Sequence, residues 1–188
     1  MATMNAAEVG AGSAKVTGAI WVAPQGTTLP TDATTALAGT YKLLGFTSDA
    51  GVTISENDSS EDLIAWEGRT KVYSIKSEYY ETVAFTPIQT NEDVLKLTYG
   101  SSNVTVASNK FTVKHTADTL SPVVIVIETS PREGIVKRYC GTFQLTSRGD
   151  ITLDGTQFDM RELTFSSLPD STGVHMYEYA SVTGTTGA

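Results

Sequence analysis

The side chains of this sequence that are chemically able to act as ligands, acids or nucleophiles are few, and their spacing gives them little to do. His115 and His175 are the only histidines. Neither has a cysteine or a second histidine at metal-ligand spacing, and zinc needs three or four such ligands. Glu56, Asp58, Glu61 and Asp62 form an acidic run of the kind that can hold calcium. The run lacks the glycine at the sixth position and the closing bidentate glutamate of an EF-hand, so it reads as a solvated acidic loop. Asp150, Asp154 and Asp159 fall in turn signals, where aspartate bonds its own backbone. The serines have no nearby histidine to activate them. Nothing matches a nucleophile elbow, a P-loop or GxGxxG. Cys140 is the single cysteine, which excludes an internal disulfide framework and leaves it a small buried hydrophobe. No catalytic residue, metal site or cofactor is expected.

Composition narrows the class further. The 188 residues suit one domain with extensions, long enough to bury a core without staples. Charged residues are 18%, below the usual share of about 25%, and Thr, Ser and Gly take the surface instead. The formal net charge of −8 opposes binding to a phosphate backbone, since that affinity comes from Lys and Arg displacing counterions. Met1 to Gly12 has neither a basic start nor an apolar run, so no signal peptide is read. No stretch approaches 18 uninterrupted apolar residues, and no membrane span or membrane partner is expected.

The elements that position these residues are mostly strands. Glu78–Gly100 is the most informative stretch. Tyr80, Thr82, Val83, Phe85 and Ile88 fit a pleated, half-buried surface. Thr90 or Asn91 then caps a short helix, Glu92 and Asp93 place negative charge at its positive end, and Gly100 ends it. So short a helix must lie with its apolar side on a sheet. Other strands are expected at Lys15–Ala23, with Val16, Ile20 and Val22 on one face, at Tyr41–Thr47, Val52–Ser55 and Arg69–Ser77, and at Ile135–Thr146 and Gln157–Ser166. A small hairpin is expected around Ser108-Asn109. Val123–Thr129 reads as a strand buried on both faces. Pro24–Thr40 is a long loop, of the kind that is functional or disordered. Ser48–Gly51 and Pro131–Gly134 are turn signals, and residues 48–70 read as a second long excursion. His175–Val182 has strand character inside an otherwise plain tail. The expected fold is mainly β: a β-sandwich or barrel-like domain over residues 15–173 with one flanking helix. A flexible arm (1–14), the 48–70 loop and a C-terminal tail (174–188) extend from it unpaired. Trp66, in IAWEGR, reads either as core or as an anchor for a neighbouring subunit, where Trp is over-represented.

Two stretches, SDAGVTISENDSSEDLIAWEGR (48–69) and FTPIQTNEDVLKLTYG (85–100), resemble in this order the major tail tube protein of long non-contractile-tailed bacteriophages. The run RGDITLDGTQFDMRELTFSSLPDSTG (148–173) resembles the same family, and the likeness spans most of residues 15–173. It implies a β-sandwich with a flanking helix, shared with the type VI secretion tube protein. It further implies a structural subunit without catalysis, forming hexameric rings that stack into a hollow conduit in the virion tail after assembly in the host cytoplasm. Implied partners are further copies of the chain, a tape-measure protein, and tail tip and terminator proteins, with DNA passing through the lumen unbound. Interface roles carry over to Asp49, Gly51 and Trp66, and fold positions to Asn91 and Gly100. With the rest of the acidic excursion, the candidate subunit contacts are Asp49, Gly51, Glu56, Asp58, Glu61, Asp62, Leu63, Ile64 and Trp66.

Two rival readings accompany this one. A carbohydrate- or receptor-binding β-sandwich module would use Tyr79, Tyr80 and Tyr139 as an aromatic platform. A capsid or head–tail joining protein is the third.

Overall fold

The computed structural model describes residues 12–15, 18–108, 110–132, 135–153, 155 and 161–182. Its centre is β7 (Val123–Arg132), where Val124, Ile125, Val126 and Ile127 are all buried, as the unbroken β-branched run predicts. Successive side chains of a strand point to opposite faces, so a run without polar alternation needs apolar cover on both. The structure supplies it. Ile125 and Ile127 enter the main core, and Val124 and Val126 a second one.

β7 pairs antiparallel with β1 (Ile20–Pro24) on one side and with β8 (Ile135–Arg148) on the other. A two-residue β2 (Lys42–Leu43) extends the edge beyond β1. β8 carries two neighbours in succession along its far side. β10 (Tyr177–Val182) follows Ile135 to Cys140, and β9 (Leu163–Leu168) follows Thr142 to Arg148 past a bulge at Leu145/Ser147. β9 passes the sheet on to β4 (Lys71–Pro87), and β4 to β3 (Thr47–Ile64). One eight-stranded antiparallel sheet therefore folds over at β8 into a sandwich. Ile20, Val22, Ile125 and Ile127 of one layer meet Val83, Phe85, Leu163 and Phe165 of the other. The Phe85 and Phe165 rings stack at 5.5 Å.

α1 (Glu92–Tyr99) closes one end of this core with Val94 and Leu97. Asn91 is the cap: its Oδ1 accepts from the Val94 amide at 2.8 Å while its Nδ2 donates to the Leu44 carbonyl at 2.8 Å. The Gly100 amide ends the helix on the Lys96 carbonyl. β5 (Val104–Ala107) and β6 (Lys110–Val113) form the expected small hairpin on its flank, Asn109 lying outside the described residues.

The loop between β1 and β2 laps the outer face of the sheet. Leu29, Leu37 and Tyr41 pack with Val124, Val126 and Cys140, so this stretch serves as a cover. Arg138, 2% exposed, is ion-paired with Glu128 and donates to the carbonyls of Asp32 (2.7 Å) and Thr35 (2.9 Å). The paired and hydrogen-bonded guanidinium pins the loop to the sheet. Hydrogen bonds from Thr35 and Thr34 in turn hold the Asp32 carboxyl well below the usual carboxylate range.

Several expected elements differ. The first strand begins at Ile20, because the Gly18 amide closes a turn onto the Lys15 carbonyl; Val16 lies outside the described residues. The strand expected over Tyr41–Thr47 shrinks to Lys42–Leu43. Gly45 has φ +97°, and a Cβ there would lie 2.2 Å from Gln89 Oε1. β7 runs through the Pro131 turn signal to Arg132, with Glu133 and Gly134 outside the described residues. The strand expected over Gln157–Ser166 is seen as Leu163–Leu168; Asp154 and residues 156–160 are outside. So are residues 1–11 of the N-terminal arm and 183–188 of the tail. Neither the 48–70 excursion nor the C-terminal stretch is unpaired. Residues 177–182 are β10, and the excursion is half of a long hairpin.

Candidate assembly surface

β3 is eighteen residues long and absorbs both the Ser48–Gly51 turn signal and the acidic run. The turn signal becomes a bulge: the register jumps from Thr47 opposite Pro87 to Val52 opposite Phe85, with Gly51 at φ +73°. A residue in that left-handed region is one that glycine adopts without steric cost.

β4 touches β9 only through Thr82 to Phe85. Beyond that point the ladder pairs β3 and β4 only with each other, although Glu81 and Tyr79 still touch Ser167 and His175. Glu56 to Ile64 therefore project with their partners as a two-stranded ribbon, about 30 Å long at a rise of about 3.3 Å per residue. Glu56 stands directly across from Glu81 where the ribbon leaves the body, a like-charge pairing that weakens the ladder there. Further out the ribbon is laced by exposed contacts. Asp62 meets Lys71 and Ser74, each at 2.7 Å, and Asp58 meets Lys76 at 3.0 Å. The Lys71 and Ser74 hydrogen bonds hold the Asp62 carboxyl below its ordinary value. Exposed ion pairs contribute little, so the ribbon borrows its order from the body that anchors it.

Register also sorts the ribbon's faces. Glu61 opposes Ile75 and Leu63 opposes Tyr73, so these four share one side, while Asp62 and Ser74 share the other. One side thus carries Leu63, Tyr73 and Ile75 beside Glu61, and the other carries the Asp62 ion pair and hydrogen bond. At the tip the Ala65 amide donates to Thr70 at 2.9 Å, and Trp66 projects 94% exposed. Leu63, Ile64, Val72, Tyr73 and Ile75 are also exposed. An apolar grouping of this kind on a projecting element marks an interaction surface. Val72, Tyr73 and Ile75 were not among the sequence candidates, because RTKVYSIKS alternates like an ordinary body strand. Of the candidates themselves, Glu56 to Trp66 lie along this arm, and Asp49 and Gly51 lie at its root.

The root also borders a cleft of about 930 Å³ between β3, the β1–β2 edge and the ends of β7 and β8. Phe46, 73% exposed, stands on its lip, with Val52, Ile54, Ile127 and Tyr139 inside. Among the described residues three strands of the eight-stranded sheet keep a free side as well: β2 and β3 end the strand order, and β10 pairs on one side only.

The structure brings together one pair that the sequence keeps apart. Ser167 Oγ lies 2.9 Å from His175 Nδ1, across the loop joining β9 to β10. Ser167 is 4% exposed, and its Oγ also accepts the Glu81 amide at 2.8 Å, so the hydroxyl ties the two layers' edges together. Tyr79 donates to Glu81 Oε1 at 2.9 Å and packs edge-on against His175. Tyr79 and Tyr80, being successive strand residues, face opposite sides and share no platform with each other. Among the described residues no group of three or more His, Cys, Asp and Glu is placed to hold a metal.

A folded-over antiparallel sheet with open margins and an arm exposing apolar residues is the form of a structural subunit that works by association. The chain belongs to the phage tail tube protein family, whose model matches residues 2–184. It is a structural subunit of the phage tail tube, and its place is the virion tail, as the two sequence motifs imply. Among solved structures, a chain titled as the tail of an empty GTA particle, computed with helical refinement and C6 symmetry, is similar. It has a TM-score of 0.44 and 12% identity, covering 88% of this chain and 95% of that one. No curated protein matches the chain.

Proposed function

We propose that the chain polymerises through its own surfaces into stacked rings, hexameric as the family resemblance implies, and that the stack is the conduit through which DNA leaves the particle. The observation that carries this is the arm: a ribbon about 30 Å long whose distal end leaves Leu63, Ile64, Trp66, Val72, Tyr73 and Ile75 in water. Among the described residues nothing covers that end, whereas neighbouring copies would. Asp49, Gly51, Glu56, Asp58, Glu61, Asp62, Leu63, Ile64 and Trp66 are the contacts we assign to it, joined by Val72, Tyr73 and Ile75. The open margins of β3 and β10 are the natural sites of lateral pairing, since an exposed row of backbone donors and acceptors is satisfied by another strand. The net charge of −8 supports passage of DNA without adhesion. No reaction is assigned to the chain. The resemblance further suggests a tape-measure protein in the bore, tip and terminator proteins at the ends, and assembly in the host cytoplasm.

The test shortens the arm. Replacing residues 60–77 by Asn-Gly removes both strands of the distal ribbon and joins Ser59 to its ladder partner Glu78 through a two-residue hairpin turn. The shortened chain should keep the wild-type unfolding midpoint and stay monomeric under conditions where wild-type protein forms rings or tubes in negative-stain micrographs. Normal tubes from the shortened chain would remove the arm from the interface. Wild-type protein that stays monomeric at every concentration and salt, even with a tail-initiator complex added, would remove self-assembly itself.

A further inference from the structure

The cleft at the arm's root and the apolar tip at its end are two parts of one chain that cannot meet within one molecule. β3 supplies both. Val52 and Ile54 line the cleft, Leu63 lies further along the same strand, and Trp66 follows just past its end. At about 3.3 Å per residue the tip stands about 30 Å from the cleft, and folding it back would break the ladder to β4. We propose that the cleft is the receptor for the arm tip of a second copy, so that each subunit inserts its Trp66 end beside Phe46 of the next. This rests on the reading of the chain as a self-assembling tube subunit.

The chemistry of the two surfaces is matched. The cleft offers apolar walls from Val52, Ile54, Ile127 and Tyr139, and the arm offers Leu63, Trp66, Tyr73 and Ile75. Charge agrees with shape. Among the described residues the cleft is lined by two lysines, Lys15 and Lys137, and by no carboxylate, in a chain of net charge −8. Their ammonium groups already pair with Glu128 and Glu178 at 3.3 and 3.0 Å, yet both side chains remain about 40% exposed (43% and 39%). On the arm, Glu56, Glu61 and Glu67 have no ion-pair partner among the described residues. With both lysines paired the seat is close to neutral on an otherwise acidic subunit, so it repels an acidic guest less than the rest of the surface does. A knob and a pocket at different places on one molecule make a heterologous contact, which propagates head to tail and does not close on itself as a dimer.

Thiol cross-linking of the full chain tests this directly, because Cys140 is buried with its thiol pushed up to about 11 by desolvation and stays silent. Phe46→Cys and Trp66→Cys each place a thiol on an exposed position. Since Trp66 is the proposed anchor, Glu67→Cys is the second arm reporter. Under assembly conditions with a short bismaleimide, mixing the Phe46→Cys chain with either arm variant should give a covalent heterodimer. A chain carrying Phe46→Cys and Glu67→Cys together should give a ladder of dimers, trimers and higher multimers. Tubes that form while both mixtures stay uncross-linked overturn the proposal and leave the self-assembly reading standing. So do arm-to-arm dimers from the arm variants alone with no cross-link to Cys at position 46. Failure of the wild-type chain to assemble overturns both.

Discussion

β4 passes through two different environments along its own length. From Lys71 to Glu78 every residue is exposed; from Glu81 to Pro87 alternate residues are buried. Backbone pairing with β3 continues across the boundary, so the hydrogen bonds are similar on both sides. What changes is whether side chains find apolar partners. In the body, Val83 and Phe85 meet Phe165 and Leu163; in the arm, Tyr73 and Ile75 meet water. Hydrogen bonds exchanged with water contribute little net, whereas apolar burial contributes about 25 cal/mol per Å². The body therefore holds itself together, and the arm is a ladder whose side chains wait for a partner.

The sharpest way to break this contrast is to remove the same kind of group from each region. Phe165→Ala empties a site that is 0% exposed and unstacks Phe85, and should cost about 3–5 kcal/mol in denaturant unfolding of the monomer. The Tyr73 ring, 64% exposed on the arm, is the control, and Tyr73→Ala should stay within about 0.5 kcal/mol of wild type. Similar losses at the two positions would mean that the arm packs on something within the monomer.

A smaller effect is expected at the helix end. Asn91→Ala removes the acceptor for the Val94 amide and the donor to Leu44 together, and should cost about 1 kcal/mol, at most about 2. The loss should appear as a lower unfolding midpoint with an unchanged denaturant slope. A cost near zero would mean that the cap does not hold α1 on the core, and α1 would then group with the arm.

The body was largely legible in the sequence because burial leaves a pattern. Val124–Ile127 shows as an unbroken apolar run, Asn91 and Gly100 bracket the helix in standard capping chemistry, and Ser108-Asn109 marks its hairpin. The arm was not legible as an arm. The β3 side of the ribbon, exposed on both faces, has no apolar alternation to read, so the acidic run over 56–62 looked like a loop although every residue of it is in strand. Ser48–Gly51 carried the composition of a turn, which a bulge shares. The site was half legible. Leu63, Ile64 and Trp66 stood out, but their partners across the ladder, Tyr73 and Ile75, matched any half-buried strand. Phe46 and the cleft it borders were invisible, because they are made by β2, β3, β7, β8 and the loops beside them meeting in space. The Ser167–His175 contact was missed for the same reason.

The smallest stability effect is expected where the largest side chain is removed. A buried Trp truncated to Ala ordinarily costs about 3–5 kcal/mol. Trp66 is 94% exposed at the tip, so the monomer loses almost no contact when it goes, and Trp66→Ala should leave the unfolding free energy within about 0.5 kcal/mol of wild type. The same substitution should raise the concentration at which tubes appear, because an aromatic anchor buried only on association acts only in the assembled state. The two readouts together are the test, in unfolding by denaturant below the assembly threshold and in sedimentation above it. A loss of 1 kcal/mol or more in the monomer (on the scale of about 1 kcal/mol typical of point substitutions) would place the indole against the chain's own surface. Unchanged stability with unchanged assembly would strip Trp66 of any role at the interface. Only an effect confined to the assembled state is consistent with an arm whose burial is completed by another subunit.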